Sequence, residues 1–313
     1  MFKLILVRLA STVPVILIVT MLIFLLLRLS SGDPALLMAG DTASAEVIES
    51  MRISLGLDRP LTVQYGIWLA DLLKGELGMS ILTKQSVASM IMGRLEPTFF
   101  LTLSVICLTL LVAIPAGAIA AWFHRTLLDR LVMAFSVVGY SVPAFVIGYV
   151  LILFFSLYLN LLPVQGYVSP FNDFFGFVEH MTLPAITLSI VMMALVARVT
   201  RSSLLEILGE DFVRTAKAKG NTDRRVLWKH ALPNAAVPII TVIGISIASI
   251  IGGVVVTESV FNIPGVGRLT IDAIMSRDYP LVQGLILFFS LVYVGINLLV
   301  DVIYVLVDPR IRY

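Results

Sequence analysis

The sequence predicts an all-α integral membrane protein with six transmembrane helices and an extracytoplasmic loop region between the first and second. Three observations carry that expectation. Of the 313 residues, 59% are hydrophobic and 13% charged, whereas a soluble domain is about 45–50% apolar and roughly 25% charged. Mean hydropathy is +1.01, so lipid replaces water over much of the surface. Long uncharged runs recur along the chain, and the cations gather in one loop instead of spreading evenly.

A transmembrane helix needs about 20 apolar residues. The first such run, 9–27, is too long for the apolar region of a secretory signal, about 7–15 residues. It also exits through Arg28, Gly32, Asp33 and Pro34, so it reads as an anchor. The others are 97–123, 131–162, 181–197, 231–257 and 280–300. The third could hold two helices, and charge decides against that. With six spans and an internal N-terminus, the cytoplasmic side holds Lys3 and Arg8, Arg125 and Arg130, eight cations between Arg198 and Lys229, and Arg310 and Arg312. Splitting the third run would place the eight-cation loop outside, against the positive-inside bias. One tilted helix bent near Pro143 is therefore expected. Pro14, Pro115 with Gly117, Pro184 and the Gly252–Gly253 pair also interrupt spans, as suits packed helices or a lined cavity.

The expected organisation is a first segment 1–30, a loop region 31–96 and a membrane core 97–313 carrying a cytoplasmic loop 198–234. The 31–96 region has eight acids and five bases, with amphipathic helices expected over 47–55 and 63–73, including Ile67, Trp68, Leu69 and Leu72. A second small exterior element is expected at the 261–268 turn followed by 270–275.

The basic loop is the most informative segment. Residues 210–220 begin with acids, gain cations toward the end and stop at Gly220, as a helix with a glycine C′ position does. Phe212, Val213 and Ala216 are expected on one side. Asn221, Thr222 or Asp223 can cap a second helix, 224–232, halted by Pro233. The residues alone also fit a basic loop lying on anionic headgroups.

Gly220, nine residues, then His230-Ala231-Leu232-Pro233 resembles the EAA loop of bacterial ABC importer permeases. Gly220, Leu232 and Pro233 match that pattern. Arg214, Thr215 and Ala216 stand at its Glu-Ala-Ala positions, so only the last alanine fits, and His230 replaces an isoleucine. The Asp211-Phe212-Val213-Arg214-Thr215-Ala216-Lys217-Ala218-Lys219-Gly220 run is similar to the form used by the dipeptide, oligopeptide, glutathione and nickel branch. So are Gly32-Asp33-Pro34-Ala35, the 55–61 segment with Gln64-Tyr65, Gly75-Glu76-Leu77-Gly78-Met79-Ser80, the 261–268 segment, Arg277-Asp278-Tyr279-Pro280 and the closing 308–313.

The resemblance implies a type I ABC importer permease. A homologous second permease subunit would complete the pathway, two ATPase subunits would dock below, and a binding protein would deliver cargo from outside. ATP and Mg would be held by the ATPase subunits, with no cofactor in this chain. Asp211, Arg214, Lys217 and Lys219 would be polar contacts to the ATPase, with Thr215 beside them and Phe212 and Ala216 as apolar anchors. Gly220 would set the angle between the two short helices ending at Leu232-Pro233. The cargo would be a short peptide such as a dipeptide, oligopeptide or glutathione, with nickel and opines as competitors.

Polar groups within spans carry a functional expectation because burying them is costly. Asp301 is expected to pair with a cation of the 198–214 region, Arg198 or Arg201 among them. Tyr140, Ser141, Asn160 and Ser189 are candidate pathway groups. One cysteine, Cys107, excludes a disulfide framework within the chain, and a net charge of +2 gives no case for nucleic acid. No GxxxxGK[ST], HExxH or GxSxG run and no histidine pair at i,i+4 occurs, so no catalytic or metal-ligating set is expected. A proton-coupled secondary transporter is the alternative from another class.

Overall fold

The computed structural model describes residues 2–29, 44–54 and 56–307. The Gly32–Ala35 and 308–313 signatures, Leu55, Arg310 and Arg312 lie outside the described residues. Among those described, the chain is helical, with one isolated antiparallel bridge between Met79 and Ser86. In order come α1 (Phe2–Leu29), α2 (Ala45–Ser54), α3 (Leu61–Leu73), α4 (Val87–Met92), α5 (Leu95–Trp122) and α6 (Leu127–Ser141). Next are α7 (Ala144–Leu151), running on as a π-helical turn (Ile152–Tyr158), then α8 (Phe174–Leu208) and α9 (Asp211–Ala218). The chain continues with α10 (Ala236–Val260), α11 (Val266–Met275) and α12 (Tyr279–Val307).

The six apolar runs lie mostly on helix. Four stretches among the described residues are long and apolar enough to cross a membrane: Val87–Trp122, Phe174–Leu208, Ala236–Val260 and Tyr279–Ile303. The third run departs from the expected single tilted helix. Val142 is extended (φ −90°, ψ 128°), and α6 and the α7 segment meet there at 106°. Pro143 accounts for the break, because its ring disfavours helical geometry at the residue before it and it supplies no N–H.

Two compact units emerge. The larger comprises Met1–Ile5, Arg94–Arg268 and Gly295–Tyr313. Its hub is α8, 61% buried over its most apolar window and packed against α5, α6, α7 and α10. Leu101, Val105, Leu183, Leu188, Ile250 and Phe261 form the main core. Near the end of α10, Glu258 is fully buried. The Thr98 hydroxyl donates to its Oε1 at 2.5 Å and the Arg268 N–H to its Oε2 at 2.9 Å. The Val266 N–H donates in turn to the Thr98 oxygen at 2.8 Å. The carboxylate thus caps the first turn of α11, where free N–H groups and the helix dipole favour negative charge. This organises the 261–268 turn.

The smaller unit comprises Leu6–Gly93 and Leu269–Val294. α2 and α3 fall where the amphipathic patterns place them. Tyr65 and Trp68 of α3 pack their rings on Phe24, and the Tyr65 and Thr20 hydroxyls lie 2.9 Å apart. Gln64 donates to the carbonyls of Leu57 and Arg59. Buried Asp278 accepts from the Ser80 hydroxyl, from the Ile81 N–H and from the Leu281 N–H in the first turn of α12. Two of the sequence signatures, 75–80 and 277–280, therefore close on one carboxylate.

Candidate functional site

The basic loop folds as a knob on the ends of α5 and α8. α8 stops at Gly209, and Glu210 turns extended before Asp211 opens α9. Val213 and Ala216, three residues apart, share one face of this short helix. Both are buried, clustered with Val226 and packed on Trp122, Ile207 and Leu208. Gly220 takes φ +76°, and the Asn221 amide donates to the Ala216 carbonyl at 2.9 Å. Asn221 therefore closes the first helix instead of opening the second. Thr222 stands at the next N-cap without a side-chain cap bond. The second helix starts at Asp223–Arg225, widens to a π-helical turn over Val226–Ala231 and ends at Leu232–Asn234. Leu227, Ala231 and Leu232 pack with Ala118, Ala121, Leu204 and Ile239.

This geometry corrects parts of the sequence reading. Ala216 faces the chain's own core, so its methyl is not presented outward, whereas Phe212, one turn before it, is 41% exposed. Spacing identifies an apolar face, and the smaller residues filled it. Lys217 sets its ammonium over the Trp122 ring at 4.8 Å, holding α9 to α5. Leu232 is an inward packing residue. Pro233 is exposed but does not halt the turn, which runs on to Asn234. The outward face is left to Asp211, Phe212, Arg214, Thr215, Lys219 and Gly220. Asp211 and Arg214 pair at 3.3 Å while almost fully exposed, a contact worth well under 1 kcal/mol in water.

A Cβ at position 220 would meet nothing within 4 Å, so only backbone strain opposes substitution there. A left-handed conformation costs an L-residue about 1–2 kcal/mol. Gly220→Ala is expected to lower the melting temperature by a few degrees. An unchanged melting curve would show that the loop does not need this turn.

Arg201 is held by Asp129. Its Nε and one terminal nitrogen grip Asp129 at 2.5 and 2.8 Å, and the same nitrogen lies 3.1 Å from His124 Nδ1. Asp129 is buried and also accepts the Arg125 N–H at 2.9 Å. The turn between α5 and α6 is thereby tied to α8, about two turns before that helix ends. Arg198 lies over the Tyr140 ring at 5.8 Å.

The four candidate pathway groups stand in different settings. Ser189 is fully buried and donates to the Val105 carbonyl of α5 at 3.3 Å, a cross-helix tie. Ser141 donates to the Val137 carbonyl of its own helix at 2.7 Å. Asn160 holds a left-handed turn at φ +51°. Asp129, Glu258 and Thr98 were missed by the sequence reading, and Asp278 stands in it only as part of a signature. Asp129 sits between two arginines, Arg125 and Arg130, and Glu258 directly follows an uncharged run; those positions were the available signals. No group of three or more His, Cys, Asp or Glu side chains suited to a metal occurs among the described residues.

Known proteins place this architecture. The chain is 50% identical over 306 residues to the "Probable peptide ABC transporter permease protein y4tP" of Sinorhizobium fredii, covering 98% of each chain. It is 42% identical over 306 residues to the glutathione transport system permease protein GsiC of Escherichia coli, covering 98% of this chain and 97% of that one. Residues 1–102 match the N-terminal model of binding-protein-dependent transport system membrane components. With residues 113–313 matching its principal model, this multi-pass chain belongs to the family of binding-protein-dependent transport system inner membrane components.

Proposed function

We propose that this permease imports short peptides, supplying half of a six-plus-six helix pathway completed by a homologous second permease subunit. The N- and C-termini and the 198–234 loop face the cytoplasm, as the cation distribution favours. Two ATPase subunits holding ATP and Mg dock on the knob, and an extracytoplasmic binding protein delivers cargo to the opposite face. The observation that carries this reading is the knob itself. Its outward face is polar around one exposed phenylalanine, while its inner face packs on α5 and α8.

Such a fixture transmits displacement. Closure of an ATPase pair on ATP would carry the α9 knob with it, and the packed ends of α5 and α8 would follow. The two states then differ in contacts, as a population shift requires. Phe212 is the expected anchor, since an aromatic side chain seated in a partner's pocket is a frequent centre of binding energy. The peptide and glutathione cargo of the relatives supports a peptide over nickel or an opine.

The test is reconstitution with the ATPase and binding-protein partners. ATP-dependent uptake of labelled di- to oligopeptides is expected, without dependence on a proton gradient. Uptake that persists after ATP depletion would refute the assignment. Phe212→Ala should weaken ATPase retention about tenfold, equivalent to roughly 1.4 kcal/mol, while leaving the melting temperature of the isolated permease unchanged. Full retention by this variant would remove Phe212 from the interface.

A further inference from the structure

Where the knob meets the end of α5, a groove stays open. Ile119, Trp122 and Phe123 form one wall, and Leu227, Trp228 and Arg224 face them across a cavity of about 200 Å³, with Asp223 at its edge. An adjoining hollow of about 390 Å³ continues past Thr222, Arg224, Arg225 and Trp228. The wall side chains are far from covered: Phe123 is 47% exposed and Trp228 39%.

Three features of this groove point to one kind of ligand. Its apolar wall is the last turn of a membrane span, so it begins at the depth where acyl chains meet headgroups. Its aromatic side chains are the types that concentrate at that boundary. Its polar end is cationic, with two guanidiniums against the single carboxylate of Asp223. Among the described residues neither arginine has a carboxylate partner. Arg201, by contrast, is consumed by Asp129, and Arg214 is paired with Asp211. Basic pockets beside transmembrane helices suit anionic lipid headgroups.

We propose that this groove binds an anionic phospholipid, with the phosphate at Arg224 and Arg225 and an acyl chain against Ile119 and Phe123. The site joins the knob to the bilayer through a lipid, beside the protein contacts that Trp122 and Lys217 already make. The net single positive charge of the lining corresponds to about a fivefold preference for an anionic over a zwitterionic lipid.

The full chain carrying Trp68→Phe keeps two tryptophans, Trp122 and Trp228, both lining the groove. In phosphatidylcholine vesicles, brominated phosphatidylglycerol should quench their fluorescence at about fivefold lower mole fraction than brominated phosphatidylcholine. In Arg224→Gln/Arg225→Gln the preference should vanish while quenching by the zwitterionic lipid persists. Lys219→Gln, outside the groove, should keep the preference. Equal quenching by both lipids in the parent chain would overturn the proposal, as would a preference that survives loss of both arginines. Reversal of the preference by inorganic phosphate at constant ionic strength would assign the arginines to a soluble anion. Loss of quenching by both lipids on binding the ATPase subunits would assign the groove to that protein. Either result rejects the lipid site. The vesicle measurement uses neither cargo nor ATP, so its outcome is independent of the transport reading.

Discussion

Gly117→Leu is expected to leave little folded permease. At this position α5 crosses α8 so closely that a Cβ would stand 2.5 Å from the Ala197 carbonyl oxygen and 2.7 Å from Thr200 Cβ. The first obstacle is backbone, so no rotamer change relieves it and the helices must separate. Overpacking costs about 1–3 kcal/mol in an ordinary core, occasionally more. Here the separation would also pull apart Ala113, Ala118 and Ala121 from the α8 residues they approach. Membrane helices depend on this kind of close packing because no hydrophobic force holds them together in lipid. Gly117→Ala should shift the melting temperature down by about 2–12 °C, taking about 1–3 kcal/mol at the roughly 2–4 °C per kcal/mol of a 150–250-residue domain. Size-exclusion recovery after a heating series reads both variants. A leucine variant that melts like the parent would mean the helices do not meet here.

Asp129→Ala is expected to cost about 3 kcal/mol. It removes the buried partner of Arg201 and leaves the guanidinium with only His124 nearby, and breaking a buried pair from one side costs about 3–5 kcal/mol. The low end applies because the Arg201 side chain is 20% exposed. Asp129→Asn should lose less, since its carbonyl still accepts. The double variant Asp129→Ala/Arg201→Leu should recover part of the loss, giving a coupling energy of about 1–3 kcal/mol. Strict additivity in that cycle would contradict the bidentate contact. On the transport reading the pair also ties the α5–α6 turn to the helix that bears the knob. Variants that still assemble should therefore move fewer peptides for each ATP hydrolysed.

The spans were legible because lipid imposes a demand that composition cannot hide: about 20 residues with no charge. The bend was legible at Pro143, but its size was not. Proline ensures a break without fixing the angle, and the neighbouring helices set the 106°. The knob was legible through its scarce charges and its glycine. Which of its apolar residues faced inward was not, since Phe212, Val213 and Ala216 satisfy one helical pattern and only packing separates them. The Asp129–Arg201 pair was not legible for a different reason. Asp129, 72 residues from Arg201, reads in the sequence as a solvated residue between two spans. Glu258 escaped notice because it stands beside the boundary of a run instead of inside one.

The carboxylate of Asp278 has a consequence for how the molecule is made. Its partner Ser80 lies 198 residues earlier in the chain. At a synthesis rate of about 5–20 residues per second, about 10–40 s separate the emergence of the two. Throughout that interval the 75–80 turn lacks the carboxylate it closes on. The early short helices must therefore wait, partly assembled, for the start of α12. The final segment to be made completes the fold of one of the first.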